Sequence, residues 1–435
     1  MQQKILLGQL GRNGDCLYAT AIARQIKQDY PGCHLTWAIS SLCKSIIENH
    51  PYVDAIWEIP LSNNKYMKET WQRFEQEARQ KKETGEYDEV FLTQTHPGNF
   101  QNYDGTVRSS LFRGYPHPIT VPVTPILRLS EAEISAALKF ITTHNISEHD
   151  IVVLFECSST SGQGYLTPEI ALDVAQRVLK RDKNIKFILA SNLKISTSNP
   201  NIVDGSVLGF KEFAEITKYC TLLVGCSSGI SWLTTSDWSK PLPKIQVLSS
   251  NTHMYASMMH DARYFGLSTD QILEMQNCSP DHLAMCILCT LKDGFSIAQK
   301  RFHREIPIRF DFYMQQIHAE LLSNNQLLKT VQSFVAARER FKNHHEKVDE
   351  LNSIITEIFF PYINILWNDF DIQGRNAIAA YMGYNEPVHF QTVFKIKNIL
   401  LLAFRSLGIN YRTIARRFFM DIIQRKFFSH TLRLV

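Results

Sequence analysis

The 435-residue sequence has no apolar run of about 18 residues, the length that a membrane-spanning helix requires. The apolar segment at residues 5–7 is too short for the core of a secretory signal, and glycine and glutamine end it. The nine cysteines are scattered and odd in number, unlike the even set of a secreted disulfide framework. We therefore expect a protein of the reducing cytoplasm.

Two common nucleotide-binding motifs are missing from the glycine-rich turn near the start of the chain. Gly8, Gly11 and Gly14 are spaced G-x-x-G-x-x-G, and the strand predicted at residues 35–39 ends without the acidic residue that would hold a ribose. No Gly-Lys-Ser or Gly-Lys-Thr follows. A dinucleotide fingerprint and a P-loop are therefore both excluded.

What this region does contain is a strand, a glycine turn and a helix. Residues 5–7 predict a buried strand, and residues 17–26 carry apolar side chains at helical spacing. Glycine lets the backbone approach a ligand closely, and the helix start offers unpaired N–H groups and the positive end of a dipole. Asp15 lies where a carboxylate would face a ligand; a helix cap is the alternative role for it.

The rest of the chain alternates strands and helices in two series, which is typical of parallel sheets covered on both faces. The first series has predicted helices at residues 42–49 and 66–82 and strands at 55–59 and 89–94; the second runs from residue 128 to about 300. Four prolines between residues 115 and 127 indicate an interdomain linker. We predict domains at residues 1–115 and 128–300, a linker at 116–127 and a helical extension at 301–435.

The first ~60 residues resemble the bacterial heptosyltransferases of glycosyltransferase family 9. The resemblance rests on the Gly14-Asp15 pair between strand and helix, the Tyr-Pro-Gly at 30–32 and the His-Pro-Tyr-Val-Asp at 50–54. It implies an α/β fold of the GT-B type, with two doubly wound Rossmann-like domains facing across a cleft. It also implies an inverting sugar transfer from a nucleotide sugar, with Asp15 as the general base.

The segment at residues 222–233 resembles a second part of the same family, where a strand ends in Asp-Ser-Gly and a helix begins. Ser228 and Gly229 are kept, whereas Ser227 replaces the family's Asp and Trp232 replaces a His. The resemblance implies that Ser227, Ser228 and Gly229 bind the donor diphosphate. A serine-capped buried helix is the alternative.

Further donor-site candidates come from loops that follow predicted strands. Ser158, Ser159, Thr160 and Ser161 form a small-residue loop, but the family's Lys-Arg-Trp-like motif is absent nearby. Positive groups must stabilise the leaving diphosphate, and His253 is a candidate. We expect this chemistry to need neither a metal nor a cofactor.

Glu212 matches the acid of the family's Leu-x-Glu-Leu helix start, which can hold a ribose, with Glu215 as the other choice. A solvated helix face is the alternative for both.

Acceptor-site candidates lie at the carboxyl ends of the first-domain strands, where open parallel sheets form their ligand crevice. They are Arg12 and Asn13 in the glycine turn, and His96, Asn99, Arg108 and Arg113 after the strand at 89–94. A solvated surface loop is the alternative for each.

The end of the chain is basic and amphipathic. Residues 395–435 contain nine Lys or Arg and one acid, so they carry +8, whereas residues 1–394 carry −4. Phenylalanines among these cations suit the anionic surface of the inner membrane, while a docked helical subdomain or an oligomer interface is the alternative. The net negative charge of residues 1–394 gives no support to nucleic-acid binding.

Cys278, His282, Cys286 and Cys289 have the residue types of a metal site. They lack two tight pairs separated by a loop, and buried helix positions explain the last two cysteines.

Together these features predict a glycosyltransferase that transfers a sugar from a nucleotide sugar to a glycan or lipid-linked acceptor of the cell-surface polysaccharide or lipopolysaccharide type. Two alternatives remain open. One is an enzyme that glycosylates protein side chains. The other is a non-catalytic GT-B shell that binds a sugar or nucleotide or serves as an assembly scaffold, which the changes at Ser227 and Trp232 favour.

Overall fold

The computed structural model describes residues 2–157, 164–250, 257–324 and 326–366. Contacts divide the chain into two compact units, residues 1–313 and 314–435. The first unit contains two parallel sheets with helices packed on them, which confirms the predicted pair of doubly wound α/β domains.

The first sheet has four parallel strands in the order β3-β2-β1-β4. Its strands are β1 (Lys4–Gly8), β2 (His34–Ser40), β3 (Ala55–Ile59) and β4 (Glu89–Leu92), with helices α1 (Asn13–Asp29), α2 (Met67–Glu83) and α3 (Arg108–Phe112). The central strand β1 is apolar and almost wholly buried because it is covered on both faces.

The helix predicted at residues 42–49 is wrong, since only a 3₁₀ turn forms there, at Lys44–Ile46. Its hydrogen bonds run from residue i+3 to residue i, as from the N–H of Ile46 to the carbonyl of Cys43. Asn49 then adopts a φ of +64°, and Pro51 disfavours helical geometry at the residue before it.

The second sheet has six parallel strands in the order β10-β9-β8-β5-β6-β7. Its strands are β5 (Ile151–Glu156), β6 (Ile185–Ala190), β7 (Ile202–Asp204), β8 (Leu222–Gly225), β9 (Lys244–Leu248) and β10 (Ile272–Gln276). The helices are α4 (Glu131–Thr143), α5 (Pro168–Arg181), α6 (Glu212–Ile216), α7 (Gly229–Leu233), α8 (Met258–Tyr264), α9 (Pro280–Lys292) and α10 (Phe295–Phe302). The elements β7, α8, β10 and α10 were not predicted from the sequence.

The segment between the two sheets, residues 114–130, has neither helix nor strand and is hydrogen-bonded to both of them. The N–H of Val121 donates to the Gln25 side chain on α1 at 3.1 Å, and the N–H of Leu127 donates to Asp237 beyond α7 at 2.9 Å. Apolar side chains from α1, α3, α6 and α7 also join one buried cluster. The two sheets are therefore connected by the hydrogen bonds of this segment and by one shared cluster of buried apolar side chains.

Helices continue beyond the second sheet, within the segment predicted as a helical extension at residues 301–435. They are α11 (Phe310–Glu320), α12 (Leu327–Phe341) and α13 (His345–Leu366), and the boundary between the two units falls within α11. The basic amphipathic segment at residues 395–435 lies outside the described residues. Within the part of the chain that is described, no helix is both long enough and apolar enough to cross a membrane.

Candidate active site

The turn that follows β1 is fixed by its hydrogen bonds to Gln94, which lies two residues beyond the neighbouring strand β4. The side-chain oxygen of Gln94 accepts from the N–H groups of Leu10 and Gly11 at 2.9 and 3.0 Å. Because β1 and β4 are parallel neighbours, their carboxyl ends lie at the same edge of the sheet. The turn therefore brings the start of α1, with Asp15 in its first helical turn, to this edge.

Asp15 combines partial exposure with a charged neighbour. Its Oδ1 lies 4.0 Å from Nη1 of Arg108, and 29% of its side chain is exposed. Burial raises the pKa of the Asp15 carboxyl above its usual range, and the nearby charges of Arg108 and Arg12 oppose that rise. The carboxyl also accepts from the N–H of Arg12, the residue before the helix, so Asp15 caps α1 as well as facing Arg108.

Arg108, at the start of α3, is the most deeply buried charge beside Asp15, with 3% of its side chain exposed. Its guanidinium carbon lies 4.3 Å from the centre of the Trp232 ring and 5.5 Å from that of Tyr18. Among the described residues, its Nε has no hydrogen-bond partner. The guanidinium is thus held mainly by aromatic faces, and N–H groups remain for a ligand.

A buried network around Asp104 positions the segment that carries Arg108. The Asp104 carboxylate accepts from the hydroxyls of Thr106, Ser109 and Ser110 at 2.6–3.1 Å. It also accepts from Arg113 at 2.6 Å. The acceptor candidate Arg113 is therefore tied to an internal carboxylate, which also raises its pKa against the effect of burial.

The other acceptor candidates are placed differently. The amide of Asn99 donates to the carbonyls of Leu92 and Gln94 at 2.9 and 3.1 Å, so it holds the loop after β4. His96 and Arg12 are exposed, and the charge of each acts on Asp15. The side-chain oxygen of Asn13 accepts from the Cys43 thiol at 3.1 Å.

The turn before α7 in the second sheet has an unusual backbone. Ser227 is buried and has a φ of +61°, a left-handed value that non-glycine residues seldom adopt. Its Oγ accepts from Nε1 of Trp232 at 3.2 Å, so the two residues that differ from the family's pattern contact each other. Ser228 is the residue before the helix, and its side chain makes no capping hydrogen bond.

Glu156, at the end of β5, is a buried site residue that the sequence analysis missed. Its carboxyl accepts from the N–H of Cys226 at 3.3 Å, from the hydroxyl of Ser231 at 2.7 Å and from the N–H of Ser228. Burial raises its pKa to about 7. The sequence signal for Glu156 was a single acidic residue at the end of an otherwise apolar strand. N–H groups that we expected to be free for a diphosphate therefore already bind this carboxyl.

The two glycine turns meet where α1 packs against α7. A Cβ placed on Gly14 would lie 3.5 Å from both Trp232 and Arg108, and 3.8 Å from the Cα of Gly229. A Cβ on Gly229 would lie 3.1 Å from the Cβ of Asn13. A Cβ on Gly14 would thus make ordinary contacts, whereas one on Gly229 would be crowded, so it is glycine at 229 that permits the close approach of α1 and α7.

The two glutamates proposed for a ribose both have internal partners. Glu212 accepts from the N–H of Gly209 at 2.7 Å. Glu215 is buried and accepts from Trp238 and Lys218 at 2.8 and 2.6 Å. Of the two, Glu212 is the more exposed.

The remaining donor candidates, Ser158, Ser159, Thr160, Ser161 and His253, lie outside the described residues. Cys286 and Cys289 are buried on α9, as the core interpretation predicted. Over the described ranges, no three side chains of His, Cys, Asp or Glu come together as a metal site.

Comparison of the sequence with protein-family models gives no match. No curated protein matches it either.

Several solved structures are similar to the model at low sequence identity. A glycosyltransferase of family 9 from Veillonella parvula is 13% identical, with a TM-score of 0.48 over 69% of this chain and 95% of that one. The heptosyltransferase WaaC of E. coli, solved with ADP, is 12% identical, with a TM-score of 0.41 over 68% and 100%. MurG of Acinetobacter baumannii is 11% identical, with a TM-score of 0.38 over 69% and 96%.

Proposed function

We propose that this chain is a glycosyltransferase that moves a sugar from a nucleotide-sugar donor to an acceptor hydroxyl with inversion, using Asp15 as the general base. The single observation that carries the proposal is the placement of Asp15. Its carboxyl is partly exposed, lies 4.0 Å from the buried Arg108 and stands where α1 meets α7 of the second sheet. A base and a cation therefore meet between two Rossmann-like sheets.

The chemistry follows from these groups. Asp15 would take the proton of the acceptor hydroxyl as its oxygen attacks the anomeric carbon, and the bond from that carbon to the diphosphate oxygen would break. A general base contributes typically about 10²–10⁴ in rate, and it works best when its pKa is closer to the working pH. The burial that raises the pKa of Asp15 favours this role.

Negative charge grows on the departing diphosphate and has to be stabilised. The proposed donor residues are Ser228, Gly229 and the candidates at 158–161 and 253 that lie outside the described residues, and Glu212 is the proposed ribose ligand. Arg12, His96 and Arg108 lie near Asp15 and would bind the acceptor together with Asn13. Their charges suit an acidic glycan or a lipid-linked acceptor of the cell-surface type at the inner membrane.

The test is a panel of nucleotide sugars, assayed by thermal shift and by release of the nucleotide, for the wild type and Asp15→Ala. We expect one donor to raise the melting temperature of both proteins and only the wild type to turn over. Asp270→Asn, an exposed carboxylate outside this region, is the matched control and should retain full turnover. Turnover that survives in Asp15→Ala would refute Asp15 as the base.

A non-catalytic scaffold is the second candidate, and one observation favours it. Trp232 is buried between Tyr18 and Arg108, and Glu156 binds N–H groups of the turn proposed for the diphosphate. If no nucleotide or nucleotide sugar raises the melting temperature, the scaffold is the better description. Turnover on a peptide hydroxyl instead of a glycan would identify the protein-modifying alternative.

A further inference from the structure

Arg108 is a buried cation that makes few polar contacts of its own. Its side chain is 3% exposed, and the Asp15 carboxylate, at 4.0 Å, lies beyond hydrogen-bond distance. Among the described residues, its Nε has no acceptor. By contrast Arg113, directly after the same helix, donates to the Asp104 carboxylate at 2.6 Å. A buried charge is costly unless hydrogen bonds replace those it made to water. A bound anion would supply the partner that the described residues do not.

Aromatic rings hold the guanidinium of Arg108 without accepting its N–H groups. The guanidinium carbon lies 4.3 Å from the centre of the Trp232 ring and 5.5 Å from that of Tyr18. A ring face attracts the cation, but the five N–H donors of arginine point outward in the plane of the guanidinium. Two of them can bind two oxygens of one phosphate group side by side. Because the rings hold the guanidinium in place before a ligand arrives, binding costs less conformational entropy.

The guanidinium lies where α1 of the first sheet meets α7 of the second. A Cβ on Gly14 would lie 3.5 Å from Nη2 of Arg108 and 3.8 Å from the Cα of Gly229, so all three border the same space. Gly14, Ser228 and Gly229 are each half-buried, and 29% of the Asp15 side chain is exposed. The junction is therefore reached from solvent although Arg108 itself is covered. An anion that enters here meets a cation of the first domain beside the turn proposed for the donor.

Sugar transfer from a nucleotide needs a cation at this junction. Negative charge grows on the diphosphate as it departs and has to be stabilised. The basic Lys-Arg-Trp-like motif of the resembled family is absent near residues 158–161. In addition, the N–H groups of Cys226 and Ser228 already bind the Glu156 carboxyl. The donor side therefore lacks the cation that the resembled family has, whereas Arg108 contacts that side through Trp232.

We propose that Arg108, although it belongs to the first domain, binds the diphosphate of the nucleotide sugar and stabilises it as the leaving group; this inference rests on the proposed function. When the bond from the anomeric carbon to the diphosphate oxygen breaks, its electron pair stays on that oxygen, and the guanidinium donates N–H bonds to the charged phosphate. The proton of the acceptor hydroxyl goes to Asp15. Arg12 and His96, which are exposed, are then the cations that serve the acceptor.

The test is calorimetric titration of the full-length protein with inorganic pyrophosphate and with ADP, UDP and GDP. We expect pyrophosphate to bind the wild type, and Arg108→Met to bind it about 10- to 100-fold more weakly because charge-assisted hydrogen bonds are lost. Arg108→Lys keeps the charge but not the planar pair of donors, so its affinity should be intermediate. Arg79→Met, on the exposed face of α2, is the matched control and should bind as the wild type does. Equal affinity in Arg108→Met and the wild type overturns the proposal.

Tryptophan fluorescence of the wild type keeps the test open if Arg108→Met fails to fold. A phosphate on the guanidinium changes the surroundings of the stacked Trp232 ring, so the emission should change as pyrophosphate is added. The change should persist in Trp238→Phe, since that indole donates to Glu215 at 2.8 Å instead, and should vanish in Trp232→Phe. Binding heat in the wild type without any change in emission would place the anion elsewhere and overturn the proposal.

The outcomes separate this inference from the proposed function. If Arg108→Met binds nucleoside diphosphates as tightly as the wild type, only the role of Arg108 is refuted. If it loses pyrophosphate while no nucleotide sugar is turned over by the wild type, Arg108 keeps its role and the proposed function fails. A wild type that binds neither pyrophosphate nor nucleotide refutes both. Glucuronate serves as a model of an acidic acceptor: weaker binding of glucuronate to Arg108→Met with unchanged binding of pyrophosphate would assign Arg108 to the acceptor and overturn the proposal.

Discussion

The guanidinium of Arg108 stacks on the indole of Trp232 at 4.3 Å, and this contact joins α3 of the first sheet to α7 of the second. The ring of Trp232 also meets Tyr18 edge-on, with centroids 4.9 Å apart. A residue that differs from the resembled family's pattern therefore has a partner in the opposite domain. The burial of Trp232 depends on its contact with Arg108, and mutation of either residue should show this dependence.

A double-mutant cycle between Arg108→Met and Trp232→Leu should give a coupling energy of about 0.5–2 kcal/mol. The reason is that a desolvated cation over an indole face gains more than an exposed one. The measurement is urea unfolding of the wild type, both single variants and the double variant. A second cycle with Tyr18→Leu is the control, and it should give a smaller coupling since the Tyr18 ring lies farther away, at 5.5 Å. If the effects of Arg108→Met and Trp232→Leu on the free energy of unfolding simply add, the two side chains do not form a cation–π contact.

Ser227 should tolerate glycine better than alanine. Either substitution removes the oxygen that accepts from Trp232, leaving a buried donor unpaired at a cost of about 1–3 kcal/mol. Glycine, however, relieves the left-handed φ of +61°, which recovers about 1 kcal/mol or more. We expect unfolding free energies in the order wild type, Ser227→Gly, Ser227→Ala, measured by urea denaturation. An alanine variant as stable as the wild type would show that the hydrogen bond contributes nothing.

Much of the two-sheet fold could be predicted because its strands are short apolar runs between helical patterns. The exceptions have physical causes. Strand β7 has only three residues, and β10 contains Glu274, a buried acid that breaks its apolar pattern. The hydroxyl of Ser257 and the N–H of Met259 satisfy that carboxyl, and both come from a distant segment. A sequence pattern cannot reveal such tertiary partners.

The same limit applies to the site. The glycine turn could be predicted because its signal is local, and the structure places Arg12, His96 and Arg108 near Asp15, whose role stays a prediction. The partners of the other polar residues were not predictable. Arg113 and Asn99 look like ligands in the sequence, yet Asp104 and backbone carbonyls bind them.

Arg108→Met should move the acid limb of the pH–rate profile to higher pH. Burial raises the pKa of Asp15, and the positive charge of Arg108 lowers it, so removing that charge raises it further. A general base acts when deprotonated, and kcat/KM should therefore fall at a higher pH in the variant than in the wild type. The measurement is kcat/KM against pH with the donor found in the panel. Arg79→Met, on the exposed face of α2, is the control and should leave the limb in place. If the acid limb of Arg108→Met lies at the same pH as that of the wild type, Arg108 does not affect the ionisation of Asp15.

Acidification from pH 8 to pH 5 should stabilise the protein through the buried glutamates Glu156 and Glu274. Burial raises the pKa values of Glu156 and Glu274 to about 7 in the folded state, from 4.5 when unfolded. Between those values the folded protein holds more protons than the unfolded chain, so its free energy of unfolding falls as pH rises and levels off above about pH 7. Each glutamate contributes up to about 3 kcal/mol to this change.

Glu156→Gln and Glu274→Gln should each flatten the dependence, because an amide does not titrate. The measurement is urea unfolding from pH 5 to pH 8 for the wild type, both variants and the double variant. Glu169→Gln is the matched control, since that exposed glutamate has a lowered pKa and titrates below this window. The double variant should lose most of the slope. A slope that persists there would show that other groups produce it and that the two carboxyls do not take up protons in this window.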